Sequence, residues 1–159
     1  MTTGEMITRG SAWLAFAAYI SGTVIQLRHP PGRVFRWLWL AGAVVLLLHL
    51  LAAFQFKHHW SHADALADTA RQTQAVTGLD WGGGIYLNYL LVAVWLADAA
   101  GRFRGTPPRW LRLQNGFYAF MWFNAAVLFV PGPSRWVGAA AFVGLLLGTL
   151  LLRSSRSPG

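Results

Sequence analysis

Apolar residues along this chain gather into five long blocks separated by short polar breaks. The blocks are 11–27, 37–56, 81–99, 113–130 and 136–152. A bilayer core about 30 Å thick is crossed by roughly 17–25 apolar helical residues, so each block predicts a membrane-spanning helix. The breaks carry residues that stop helices, among them Pro30-Pro31-Gly32, Pro107-Pro108 and Pro131-Gly132-Pro133. Trp13, Trp37, Trp39, Trp60, Trp81, Trp110 and Trp136 fall at or near block ends, where an amphipathic indole favours the headgroup region. Trp95 and Trp122 lie deeper and read as packing residues. The first block is not followed by a cleavage motif and reads as a retained helix rather than a signal peptide. The expected fold is all-α: a polytopic membrane protein, a five-transmembrane-helix bundle forming one membrane domain over residues 1–159.

Composition supports this reading and removes others. The chain is 55% hydrophobic and only 11% charged, against roughly 25% charged residues in soluble domains. It carries 13 Lys and Arg against 5 Asp and Glu, a net charge of +8. A pI near 11.4 suits nucleic-acid binders, but those are charge-rich, so no nucleic-acid partner is expected. Sorting the charges by loop is more informative. Arg28, Arg33, Arg36, Arg102, Arg104, Arg109, Arg112, Arg153 and Arg156 fall on one side of the predicted topology. Arg9, Lys57, Arg71 and Arg135 fall on the other, offset by Glu5, Asp64, Asp68 and Asp80. The positive-inside rule then places the N-terminus outside and the C-terminus in the cytoplasm. Anionic lipid on the cytoplasmic side is the expected counter-charge. Cysteine is absent, which excludes disulfides, thiolate metal sites and a cysteine nucleophile.

Two stripes of small residues suit close helix packing. Ser11, Ala15, Ala18 and Gly22 form one on the first span, and Ala140, Gly144 and Gly148 form another on the fifth. Either can face a neighbouring span, a membrane-protein partner or a second copy.

The longest polar segment, residues 57–80, is the second external loop of this topology. Ser61 followed by Asp64 resembles a capping box, and Gly78 is a stop signal, so a short amphipathic helix is expected from about His62. Ala63, Leu66, Ala67 and Ala70 supply its apolar side. His58-His59-Trp60-Ser61-His62 precedes it. If the second span continues through this point, His58 and His62 share a face at i, i+4, a spacing that can place two imidazoles on one zinc, copper or iron ion. The candidate metal set is His58, His59, His62, Asp64 and Asp68. A solvated histidine collar at the bilayer boundary is the competing reading.

Polar residues within spans give a second candidate. His49, Tyr86, Asn88, Tyr89 and Asn124 come from three spans at similar predicted depth and can line one pocket, with interhelical hydrogen bonding as the alternative. Asp98 with Arg102 at i+4 reads as a local ion pair, with a proton-relay role for Asp98 as the alternative. Gly82-Gly83-Gly84 lacks the Lys-Ser/Thr of a phosphate loop, and the chain has neither H-E-x-x-H nor G-x-S-x-G.

The pattern H-x-W-S-H, Asp68-Thr69-Ala70, Thr73, Gly78, Trp81-Gly82-Gly83-Gly84-x-Tyr86, Asn88-Tyr89 and Trp95-x-x-Asp98 resembles uncharacterised bacterial multi-pass membrane proteins. The resemblance covers about residues 56–98 and implies no particular activity. The expected role is an accessory or assembly partner of a membrane complex in a bacterial inner (cytoplasmic) membrane. The alternative is a metal-binding redox or hydrolytic protein using the histidine cluster.

Overall fold

A computed structural model describes residues 2–105, 111–130 and 132–154. Pro107, Pro108, Arg109, Trp110, Pro131 and Arg156 lie outside the described residues. The described chain is helical, with no strand. Its helices are α1 (Thr3–Arg28), α2 (Arg33–Phe56), α3 (His62–Thr77), α4 (Gly84–Phe103), α5 (Leu111–Phe123) and α6 (Ser134–Ser154); a π-helical segment, Asn124–Leu128, prolongs α5.

Four helices, α1, α2, α4 and α6, are long and apolar enough to cross a membrane. The fourth expected span differs. Its α-helical part has 13 residues, about 20 Å at 1.5 Å per residue. The ladder then shifts register at Asn124, whose Nδ2 donates to Phe120 O at 2.7 Å. Phe129 N donates to Asn124 O at 2.9 Å in the i to i+5 pattern of a π-turn.

Helix α1 starts eight residues before the apolar block. Thr2 and Glu5 form a reciprocal capping box, with Thr2 N donating to Glu5 at 2.7 Å, so the helix begins at its cap rather than where hydropathy rises. Helix α4 starts three residues later than its block, because Gly82 and Gly83 serve the turn before it.

Helices α1 and α2 form a close antiparallel hairpin, and the stripe on α1 is its seam. A Cβ on Gly22 would lie 2.6 Å from the Trp39 ring, and one on Gly42 would lie 2.9 Å from Ala18 Cβ. Small residues at these points let the backbones approach. The stripe on α6 behaves differently. Ala140 and Gly144 are exposed, and among the described residues nothing lies within 4 Å of a Cβ on Gly144 or Gly148 and no helix packs there. Instead Gly138 sits against the backbone of Ala126 in the π-segment.

The core is aromatic. Phe16, Tyr19, Phe35, Trp39, Trp95, Tyr118 and Trp122 are buried together, with Tyr19 stacked on Trp122 at 5.8 Å between centroids and Trp39 edge-on to Trp95 at 5.2 Å. Trp95 and Trp122 pack as expected. Trp39 was expected near a headgroup boundary and is instead 1% exposed. Its indole N–H donates to Asp98 Oδ2 at 2.7 Å, a bond that satisfies the polar edge inside the bundle.

Candidate functional site

Helix α3 covers one end of the bundle and roofs a cavity of about 620 Å³. Its capping is local and strong. Ser61 accepts from Asp64 N at 3.2 Å, and Gly78 closes the helix at φ +80°, a conformation that suits glycine. The inward face carries Ala65, Thr69 and Thr73 at i, i+4 spacing, with Ala65 and Thr73 buried and Thr69 half-buried. The expected apolar side is therefore rotated: Ala63 and Ala67 are exposed. Threonine can take the inward positions because each hydroxyl donates to its own helix, Thr69 to Ala65 O at 2.8 Å and Thr73 to Thr69 O at 2.9 Å.

The histidine-rich turn makes this placement possible. Helix α2 ends at Phe56, and His59 and Trp60 adopt left-handed φ values of 48° and 61°, uncommon for non-glycine residues. The turn is held by Trp60 N to Phe54 O at 3.0 Å, Ser61 N to His58 O at 2.8 Å, and Trp60 Nε1 to Gln55 Oε1 at 2.8 Å. A continuous helix through His58 and His62 does not form, and their expected shared face is lost.

Each candidate metal residue has a separate setting. His62 on α3 meets the Tyr89 hydroxyl at 3.0 Å and the Tyr86 hydroxyl at 3.2 Å. His58 is buried, with its ring edge-on to Phe54 at 5.7 Å. His59 occupies the strained turn, and Asp64 is exposed in the first turn of α3. Asp68 accepts from Lys57 Nζ at 2.6 Å, Gln72 Nε2 at 2.7 Å and Arg71 at 3.1 Å. Among the described residues no group of three or more His, Asp or Glu is arranged to hold a metal ion.

These contacts fasten α3 at two points, His62 to α4 and Asp68 to Lys57 just beyond α2. A third element is steric. A Cβ on Gly82 would lie 2.5 Å from Leu66 O, and one on Gly84 would lie 3.1 Å from Thr69. The glycine run that fails as a phosphate loop is what lets α3 lie against the start of α4.

The turn before α3, through His58, and the Lys57–Asp68 fastening are acid-sensitive. Burial pushes the His58 pKa below its ordinary 6.5, against the pull of Asp68. Burial pushes the Asp68 carboxyl up, but the hydrogen bond and charge of Lys57, with Gln72 and Arg71, outweigh it and hold the pKa below 3.8. Neutral His58 therefore contributes fully above 6.5, and its share is lost as pH falls from there toward the lower folded value. The Asp68 share is present above 3.8 and is lost as pH falls through its folded value. Hydrogen exchange of the α3 amides, corrected for intrinsic rates, is expected to quicken as pH falls below about 6.5. Unchanged protection would contradict this assignment.

The cavity walls come from α1, α2, α3, α4 and the α5 to π-segment junction. Trp13, Phe16, Leu46, Leu50, Leu91 and Trp122 supply apolar surface, and His58, Asp68, Gln72 and three threonines supply a polar end beneath α3. Of the expected pocket residues, His49, Asn88 and Asn124 line this cavity; Tyr86 and Tyr89 do not, and bind His62 instead. His49 also ties α2 to α1, with Nδ1 2.9 Å from Thr8 O and 3.3 Å from Ser11 Oγ. Sequence reasoning missed Thr8 on α1 and Thr69 and Thr73 on α3; the i, i+4 repetition of the last two was the available signal.

Asp98 lies elsewhere. It is 5% exposed, accepts from Trp39 and from Arg102 Nε at 3.0 Å, and lies outside the cavity lining. The Arg102 guanidinium sits over the Phe35 ring at 4.9 Å and the Trp39 ring at 5.5 Å. The expected ion pair is present, and it is a core element rather than an isolated helix-surface pair.

Comparison with protein families, with curated proteins and with solved structures finds no match to this chain.

Proposed function

We propose that this protein is a five-span bacterial inner-membrane protein, N-terminus outside, that binds an amphiphilic molecule in the cavity beneath α3. The observation that carries the reading is the cavity itself. Its volume of about 620 Å³ falls within the roughly 300–1,000 Å³ of small-molecule pockets. Its walls are aromatic and aliphatic, and its polar groups collect under one helix, which matches a molecule with a tail and a head. In this reading α5 and the π-segment together make the remaining span, Leu111 to Leu128, and the basic loops face anionic lipid in the cytoplasmic leaflet.

Binding serves a larger assembly in this proposal, as an accessory component of a membrane complex. The outward stripe of Ala140 and Gly144 on α6 favours this second element, because it offers a close-approach surface that no helix among the described residues uses. A metal-dependent reading has less support, since the histidines and Asp68 are dispersed among the contacts that fasten α3.

Photolabelling tests the binding claim. A diazirine-bearing single-chain amphiphile, added to the protein in nanodiscs, is expected to label it saturably with about one molecule per chain. Ala12 lines the cavity, and Ala12→Trp is expected to fill it and abolish saturable labelling while the protein keeps its melting temperature within a few degrees. Equal, non-saturating labelling of both proteins would overturn the reading.

A further inference from the structure

The hydrogen-bonding character of the cavity specifies more than an amphiphile. His49 Nδ1 faces the carbonyl of Thr8 at 2.9 Å. A carbonyl only accepts, so Nδ1 carries the proton and the neutral ring presents Nε2 as a lone pair. Nε2 has no partner among the described residues. Asn124 follows the same logic. Its Nδ2 donates to Phe120 O at 2.7 Å, which fixes the amide orientation and leaves Oδ1 as an unpartnered acceptor.

The threonines repeat the pattern. Thr8, Thr69, Thr73 and Thr77 all line the cavity, and all four hydroxyls donate to a carbonyl one turn back at 2.8–2.9 Å. Their oxygens can then only accept, and that of Thr77 already accepts from Leu79 N at 3.2 Å. The formal charges are engaged within the protein: Lys57 with Asp68, Asp68 with Arg71 as well, and Arg9 by its own contacts. Donors also reach the lining: the Asn88 amide and the second N–H of Gln72, the Trp13 and Trp81 indoles, and further N–H groups of His58 and Lys57. The Trp122 indole N–H is unpartnered but sealed from the cavity space.

We infer that the ligand is a neutral amphiphile whose head donates hydroxyl hydrogen bonds to the two unpartnered acceptors of the lining, His49 Nε2 and Asn124 Oδ1. A charged head would have to displace a contact that Lys57, Asp68 or Arg9 already makes. A head of carbonyls or ethers alone would leave His49 Nε2 and Asn124 Oδ1 unmet, and unmet buried acceptors cost affinity. The chemistry is shared by three membrane sources: an isoprenoid hydroquinone, a polyprenyl alcohol and a monoacylglycerol.

This inference rests on the binding reading above, and the experiment separates the two. Short-chain members of each class compete with the diazirine label in nanodiscs, each beside its O-methyl ether with the same tail; the hydroquinone is held under reducing, anaerobic conditions. The hydroxyl form of at least one pair is expected to compete about tenfold better than its ether, and the best-competing pair names the source. His49→Phe and Asn124→Leu are expected to narrow that ratio toward one. His49→Gln is expected to retain it, because its amide can donate to Thr8 O and still present an oxygen. Should His49→Phe fail to fold, Asn124→Leu carries the test. Alcohols and ethers competing equally in all three classes would overturn the hydroxyl assignment and leave the cavity reading standing. Absence of any saturable label to displace would overturn both.

Discussion

Asp98→Ala is expected to be the most damaging single substitution in this protein. It leaves the Arg102 side chain, 8% exposed, without its counter-charge. It also leaves the Trp39 indole N–H without its acceptor. Removing one partner of a buried ion pair costs about 3–5 kcal/mol, and an orphaned buried donor adds about 1–3 kcal/mol. These terms share a network and do not simply add, so a loss of about 4 kcal/mol or more is the expectation. Unfolding in mixed micelles, followed by circular dichroism, measures it. Asp98→Ala with Arg102→Met removes both charges and is expected to regain more than half of the loss, since replacing a whole buried pair is far less damaging than breaking it. A loss below about 1 kcal/mol for Asp98→Ala would contradict the structural role given to this carboxylate.

Gly42→Leu is the second large effect. A Cβ at this position would lie 2.8 Å from Trp95 Cζ2 and 2.9 Å from Ala18 Cβ. Neither neighbour can yield easily: Trp95 is fully buried, and Ala18 belongs to the α1 seam. Overpacking typically costs 1–3 kcal/mol, and a leucine wedged between α1, α2 and α4 is expected at or above about 3 kcal/mol. Gly144→Leu is the matched control. Open space surrounds it, so the isolated chain is expected to lose less than about 0.5 kcal/mol. The same micelle unfolding assay compares them. Equal losses at the two positions would contradict the assignment of the α1–α2 seam as the tight interface.

Both effects show where sequence reading reaches its limit. Hydropathy located the helices because lipid-facing segments must be apolar along their whole length. The ends of α3 were legible for a different reason: Ser61, Asp64 and Gly78 act on backbone within one turn of themselves. Features made by distant contacts were not legible. Asp98 and Trp39 are 59 residues apart, so Asp98 showed only its i+4 partner Arg102. His49 stood out as a polar group in an apolar span, but its bond to Thr8 O depends on how α1 lies against α2. The reversal at His59 and Trp60 turned a plausible i, i+4 imidazole pair into residues with separate partners. That reversal needs two left-handed residues, which histidine and tryptophan do not advertise. The π-segment was also hidden, because it depends on the competition of Asn124 for the Phe120 carbonyl. The cavity is the extreme case, since no single helix contains it.

Where the photolabel lands is the most direct measurement of the central claim. Binding beneath α3 predicts adducts concentrated on peptides carrying Trp13, Leu50 and Leu91, which line the cavity from three helices, and their loss in Ala12→Trp. Adducts spread over outward residues such as Leu146 and Leu150 on α6, unchanged by Ala12→Trp, would show annular lipid instead and contradict it.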